Sequence, residues 1–169
     1  MSLAKQLADM PKGKVVFIDA NIFHFYLRGP LSIQKACTNL LERIERNEIT
    51  GYTSALILDE LIYKILLKKI EEKYRRNPLD VLHESPEEIG IHSAYVRKAV
   101  TIVAGIAGLV ILAVEKHHIE EAIDYMQKYL ILPRDAVHLS VMKSVECDDL
   151  VSADKDFDKV IDLNRWTPL

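Results

Sequence analysis

The fold of this chain is best inferred from residues 15–23, Val15-Val16-Phe17-Ile18-Asp19-Ala20-Asn21-Ile22-Phe23. The first four residues are apolar and mostly β-branched, which is typical of a strand that is buried on both faces. This strand ends at Asp19, and Asn21 follows two residues later. In open α/β sheets, ligands bind at the carboxyl ends of the strands. Asp19 is therefore either the N-cap of the following helix or a functional acid at that edge of the sheet.

Apolar strands alternate with amphipathic helices along the rest of the chain. Further strands are predicted at 49–53, 109–114 and 149–153, with a last edge strand at 160–163. Helices are predicted at 21–27, from Ser32 to about Ile44, and at about 54–76, 86–105, 119–129 and 135–145. This alternation is typical of a parallel sheet that is covered by helices on both faces. We therefore expect a three-layer α/β/α sandwich with a central parallel sheet of four to five strands.

Residues 1–169 are expected to form a single domain, because no segment has the composition of a linker. The helices predicted between residues 54 and 105 have no strand between them, so we interpret this region as a helical hairpin that extends from the sheet layers. The most hydrophobic run, 99–114, contains two glycines and is shorter than the ~20 residues of a membrane-spanning helix. We therefore expect no membrane association.

Composition and charge are those of a soluble globular protein, with 49% hydrophobic residues, 28% charged residues and a net charge of −3. A small negative charge neither indicates nor excludes a nucleic-acid partner, because the local distribution of charge matters more than the sum. Cys37 and Cys147 are too far apart in the sequence to suggest a metal-binding pair. Residues 1–14 lack the apolar segment of a signal peptide, so a cytoplasmic location is expected.

Three further acids resemble Asp19 because they adjoin apolar sequence near the end of an element: Glu60, Asp135 and Asp154. Each has a structural alternative, since Glu60 could pair with Lys64, Asp135 could cap a helix and Asp154 could begin a turn. If the four carboxylates meet at one sheet edge, they raise each other's pKa, and a divalent cation would neutralise the repulsion. Oxygen ligands favour Mg²⁺ or Mn²⁺ over zinc. Such a site is suited to hydrolysis of phosphodiester bonds.

The order and context of these acids resemble the PIN domain, and within it the small ribonucleases typified by VapC toxins. The matching blocks are Ile18-Asp19-Ala20-Asn21, Ser54 followed by Glu60-Leu61, Asp135-Ala136-Val137-His138-Leu139, and Leu150-Val151-Ser152-Ala153-Asp154-Lys155-Asp156-Phe157. The blocks extend from residue 15 to about residue 160, so the resemblance covers nearly the whole chain.

The resemblance implies an acidic pocket that binds Mg²⁺ or Mn²⁺. Its ligands would be Asp19, Glu60, Asp135 and Asp154. Asn21 and Ser152 would support these ligands, and Asp156 would be a further ligand or a supporting acid. Asp59 is the alternative to Glu60 as the inward-facing acid, although the alignment of the blocks favours Glu60.

Positive charge is concentrated at Lys64, Lys68, Lys69, Lys73, Arg75 and Arg76, whereas residues 146–162 are mainly acidic. This asymmetry suits an RNA that is held by a basic helix beside an acidic pocket. An ordinary solvated helix face is the alternative. Arg134, next to Asp135, is the better single candidate for a phosphate contact. His138 lies one turn after Asp135 and is given no role.

We therefore expect a Mg²⁺- or Mn²⁺-dependent endoribonuclease that hydrolyses RNA. The resemblance also implies a protein antitoxin and a second copy of the chain, in a homodimer, as partners. The alternative is a catalytically silent PIN fold that binds RNA or protein without cleaving. A phosphatase of the haloacid dehalogenase type is disfavoured, because it requires a second aspartate where this chain has Asn21. A response-regulator receiver is disfavoured because the paired acids that it requires are missing.

Overall fold

Parallel strands form the sheet at the centre of the molecule, for which a computed structural model describes residues 4–169. Within these residues the strands are β1 (Lys5–Gln6), β2 (Val15–Ile18), β3 (Thr50–Ser54), β4 (Leu109–Leu112), β5 (Asp149–Val151) and β6 (Asn164–Thr167). Their order across the sheet is β1-β6-β5-β2-β3-β4, and every pair is parallel. The predicted parallel sandwich is confirmed, with six described strands instead of four to five.

The sheet differs from the prediction mainly near the two ends of the chain. β1 has two residues and pairs only with β6, so it carries no periodic pattern of its own. The last strand is Asn164–Thr167 and not 160–163, and it lies between β5 and β1 instead of at the edge. Its buried Arg165 forms an ion pair with Asp158, with an Nε–Oδ1 distance of 2.7 Å. A charged residue inside a strand is therefore tolerated here because it is paired.

Seven α-helices and two short 3₁₀ helices, Leu7–Asp9 and Lys155–Lys159, accompany the strands in the described part of the chain. They are α1 (Ala20–Arg28), α2 (Leu31–Glu45), α3 (Ala55–Tyr74), α4 (Pro78–Glu84), α5 (Glu88–Ala104), α6 (Lys116–Tyr129) and α7 (Pro133–Lys143). α4 was not predicted: α3 ends at Tyr74, and α4 begins at Pro78 with Asn77 as its N-cap. α2 begins one residue before Ser32, so that serine is not its cap.

The core surrounds β2, whose Val16, Phe17 and Ile18 are fully buried. Phe17 pairs with Tyr52 of β3 on one side and with Leu150 of β5 on the other. The carboxyl ends of β2, β3 and β5 are therefore neighbours at one edge of the sheet, and the residues that follow them meet there. This arrangement positions the candidate site.

Between β3 and β4 the chain forms α3, α4 and α5, and both α4 and α5 contact α3. The single domain over residues 1–169, with its helical hairpin at about 54–105, stays a prediction. Among the residues that the structure describes, no helix is both long enough and apolar enough to cross a membrane.

Candidate active site

Asp19 follows β2 directly and is buried, with 6% of its surface exposed. Its Oδ1 accepts a hydrogen bond from the Ala20 N–H at 2.6 Å, so it caps α1. Its Oδ2 accepts from Ser152 Oγ at 2.6 Å and from the Asn21 side chain. Burial raises the pKa of Asp19, while the hydrogen bond from Ser152 opposes that effect. Asp19 is therefore a helix cap and also an acid at the predicted sheet edge.

Asn21 and Ser152 join the end of β2 to the end of β5. Ser152 Oγ donates to Asp19 and accepts from Asn21 Nδ2 and from the Asp154 N–H, both at 3.0 Å. Asn21 Oδ1 accepts from the Ala153 N–H at 3.1 Å. The hydroxyl thus uses its one donor and both of its acceptor positions. This network restricts Asp19 to one orientation.

Glu60 lies in the second turn of α3 and faces the same region, whereas Asp59 is exposed. The Oε2 atom of Glu60 is 3.2 Å from His138 Nε2, and the Oε1 atom of Glu60 is 3.0 Å from Lys64 Nζ. The hydrogen bond with His138 lowers the pKa of Glu60 to about 2, with Lys64 adding to that effect against the opposing effect of burial. Donor atoms of Asp19, Glu60 and His138 all lie within 4.8 Å of one another.

Asp135, Asp154 and Asp156 form a second group, with donor atoms within 4.8 Å of one another. Asp135 is the third residue of α7, which begins at Pro133 and is capped by Leu132, so Asp135 is not the cap. Asp154 Oδ1 accepts from the Asp156 N–H at 2.9 Å. Burial, followed by the charge of Asp154, raises the pKa of Asp135 to about 6, and Asp19 and Glu60 add to this effect. The two groups therefore adjoin and interact electrostatically.

A PIN domain family model matches residues 16–163 of this chain. The chain belongs to the PIN domain family. Ribonuclease VapC2 of Methanocaldococcus jannaschii is 23% identical over 155 residues, which cover 86% of this chain and 88% of that protein.

Solved structures of similar fold include VapBC2 from Rickettsia felis bound to a promoter DNA fragment, with a TM-score of 0.58 and 16% identity over 90% of this chain and 98% of that one. Mycobacterium tuberculosis VapC20, described as a sarcin-ricin loop cleaving toxin, has a TM-score of 0.54 and 16% identity over 85% of this chain and 92% of that one. At such identities, these likenesses show that the PIN fold is shared.

The donor set of this PIN domain fits a hard divalent cation. Five carboxylates and one imidazole lie in two adjoining groups, and oxygen ligands are those that Mg²⁺ and Mn²⁺ prefer. Burial raises the pKa of Asp135 most, and the negative charges of Asp154, Asp19 and Glu60 raise it further. A bound cation would offset these negative charges.

Most of the predicted basic stretch of the PIN domain is already paired with acids. Lys64 contacts Glu60 in the acidic group, whereas Lys68 pairs with Glu71 at 2.9 Å. Lys69, Lys73 and Arg76 contact Glu72, Glu88 and Glu84, respectively. Arg134 is exposed beside Asp135, and no residue from 4 to 169 forms an ion pair with it. The structure therefore places Lys64 against Glu60 and leaves Arg134 exposed next to Asp135 in the chain, whereas Lys68 faces a local partner.

Sequence reasoning gave no role to His138, which the structure places against Glu60 with 2% of its surface exposed. The available signal was its position three residues after Asp135, because residues three apart share one face of a helix. The spacing between Asp135 and His138 does not indicate that His138 contacts Glu60, because Glu60 lies on a different helix, α3.

Proposed function

We propose that this PIN domain is a ribonuclease that uses Mg²⁺ or Mn²⁺ to hydrolyse phosphodiester bonds in RNA. The observation that carries the proposal is the pair of adjoining acidic groups, Asp19 with Glu60 and Asp135 with Asp154 and Asp156, beyond the carboxyl ends of neighbouring parallel strands. The name of the similar Ribonuclease VapC2 supports the same activity.

The acids would contribute in different ways. Asp19, held by Ser152 and Asn21, would present a carboxylate of fixed orientation. Glu60 would be ionised throughout the physiological range because its pKa is about 2. Asp135 would take up and release a proton near pH 6 in the absence of a cation. A bound Mg²⁺ or Mn²⁺ would stabilise negative charge on the phosphate and lower the pKa of water.

Arg134 is the residue that we propose for binding RNA phosphate beside the acids. It is exposed at the second position of α7, where its guanidinium is free of ion pairs within residues 4–169. Lys64 would act mainly through Glu60, to which it is bound. Lys68 would contact RNA only if its pair with Glu71 opened, so its contribution should be small.

We also propose an antitoxin protein as a partner and a homodimer as the assembly. Structures of similar fold include a toxin-antitoxin complex from Klebsiella pneumoniae and VapBC-1 from nontypeable Haemophilus influenzae. Exposed apolar side chains of α3 and α5, among them Ile62 and Ile89, line a groove of about 410 Å³ that offers surface for either partner.

The activity is tested by incubating a mixed single-stranded RNA pool with the purified protein in EDTA, Mg²⁺ or Mn²⁺. Cleavage is expected with a divalent ion, and Asp19→Asn should abolish it, because the amide has the size of the carboxylate but no negative charge and can accept hydrogen bonds at only one of the two positions. Asp124→Asn, at an exposed position of α6, is the matched control and should cleave normally. Full cleavage by Asp19→Asn would refute the assignment. A folded wild type that binds RNA but cleaves with neither ion would indicate the silent binding module.

A further inference from the structure

The two ring nitrogens of His138 have very different surroundings. Nε2 is 3.2 Å from Glu60 Oε2, within hydrogen-bonding distance. Nδ1 is fully buried, and no group among residues 4–169 bonds to it. The ring is held on α7 with only 2% of the residue exposed, so it has little freedom to turn Nδ1 toward another partner.

This difference determines where the ring proton lies. A neutral imidazole carries one N–H and one lone pair. A proton on Nδ1 would bury a donor without an acceptor and would leave Nε2 unable to donate to Glu60. A proton on Nε2 is donated to the Glu60 carboxylate, in a charge-assisted hydrogen bond. The Nε2–H tautomer is therefore favoured.

The same tautomer makes His138 a poor metal ligand. A histidine that binds a metal through Nε2 must carry its proton on Nδ1, and that N–H almost always donates to a carboxylate, a carbonyl group or water. The Nδ1 of His138 has no such acceptor within the described chain. The distances alone group His138 with Asp19 and Glu60, but the hydrogen-bonding requirement separates it from them.

We propose that His138 is a positioning residue, which donates its Nε2–H to Glu60 and fixes that carboxylate for a divalent cation without binding the cation itself. The inference rests on the proposed function, since it assigns Glu60 to the metal site. Lys64 contacts Oε1 and His138 contacts Oε2, so both oxygens of Glu60 are restrained. Each oxygen keeps a further lone pair for a cation.

The tautomer is tested by long-range ¹H–¹⁵N correlation NMR on the full-length ¹⁵N-labelled protein, first without metal and then with Mg²⁺. The His138 signals are assigned by their loss in His138→Gln. We expect the Nε2–H tautomer in both samples. An Nδ1–H tautomer in either sample would overturn the inference. Pulsed EPR of the Mn²⁺ complex should show no directly bonded ¹⁴N, and a strong ¹⁴N coupling would also overturn it.

The positioning role is tested by calorimetric titration of Mg²⁺ into two variants. His138→Leu removes the donor but keeps an apolar side chain, and it should weaken Mg²⁺ binding about 10- to 100-fold, as is usual for groups that support a ligand. His138→Gln keeps an N–H that can reach Glu60, and it should recover most of that loss. His118→Leu, which replaces another buried histidine on α6, is the control and should bind Mg²⁺ like the wild type.

Each result separates the two proposals. If the wild type binds neither Mg²⁺ nor Mn²⁺, the proposed function fails and the positioning role fails with it. If the wild type binds and cleaves but a folded His138→Leu binds Mg²⁺ normally, only the positioning role fails. If His138→Leu does not fold, the NMR and EPR measurements on the wild type still test the inference.

Discussion

Replacing Asp135 with asparagine should stabilise the metal-free protein above about pH 6. Burial and the charge of Asp154 raise the pKa of Asp135 from 3.8 to about 6. When an acid has a higher pKa in the folded state than in the unfolded state, its ionisation lowers the free energy of unfolding of the protein. The cost of this ionisation is absent below pH 3.8, grows as the pH rises to about 6, and is constant above that value. Asparagine has no charge, so the cost disappears in the variant.

The size of the effect follows from the pKa values. A rise from 3.8 to about 6 corresponds to about 3 kcal/mol. Because water reaches part of the side chain, we reduce this value to roughly 2 kcal/mol. The substitution also removes a negative charge from the first turn of α7, which costs about 0.3–1 kcal/mol. The net gain should be about 1–2 kcal/mol, or a Tm rise of about 2–8 °C in a chain of this size.

The assay is thermal unfolding followed by circular dichroism between pH 4 and pH 8, in EDTA and in Mg²⁺. Asp80→Asn is the matched control, because Asp80 is also the third residue of a helix that begins with proline, but it is exposed. It should give no gain in stability. Mg²⁺ should stabilise the wild type more than Asp135→Asn, since a cation that binds only the folded state stabilises it by mass action. Equal stabilities of wild type and Asp135→Asn at pH 7.5 in EDTA would refute the reasoning.

Further predictions concern the network, the RNA contact and the last strand. Ser152→Ala should lower the free energy of unfolding by about 1–3 kcal/mol in urea titrations, while Ser32→Ala, an exposed control, should change it little. Arg134→Ala should weaken RNA binding and reduce the slope of log K against log salt by about 0.7 in filter-binding titrations, and Lys35→Ala should not. Trp166→Phe removes an indole donor from a buried carboxylate and should cost about 1.5–3 kcal/mol; an unchanged denaturation midpoint would contradict this.

Local sequence patterns, combined with the geometry of a parallel sheet, were enough to predict the central strand and the positions of Asp19 and Glu60. Residues 15–18 form one strand that is fully buried from Val16 to Ile18, so its position in the sheet centre and the edge location of Asp19 could be predicted. Ser54 caps α3 through its side chain, which places Glu60 two turns into that helix. These features depend only on residues close in the sequence and on the rule that the carboxyl ends of parallel strands lie at the same edge of a sheet. They could therefore be predicted from the sequence alone.

The features that were missed depend on contacts between distant residues. β1 is ordered by β6, where Lys5 Nζ bonds to Asn164 Oδ1 at 2.7 Å and lies 5.3 Å from the centre of the Trp166 ring. The strand at Asn164–Thr167 contains Arg165, so its pattern is less apolar than the predicted 160–163. The pairing of the basic residues of α3 with acids was also missed. Ion pairs such as Lys73 with Glu88 join different helices, and no local spacing indicates them.

The charges of the site divide it into two unequal halves. Glu60 has Lys64 and His138 beside it, and its pKa is low. Within residues 4–169, neither Asp135 nor Asp154 has an ion-pair partner, and the pKa of Asp135 is high. A cation bound where Asp135 and Asp154 meet would neutralise two carboxylates that have no ion-pair partner among residues 4–169. The half around Glu60 would instead supply an ionised carboxylate that is already held in position.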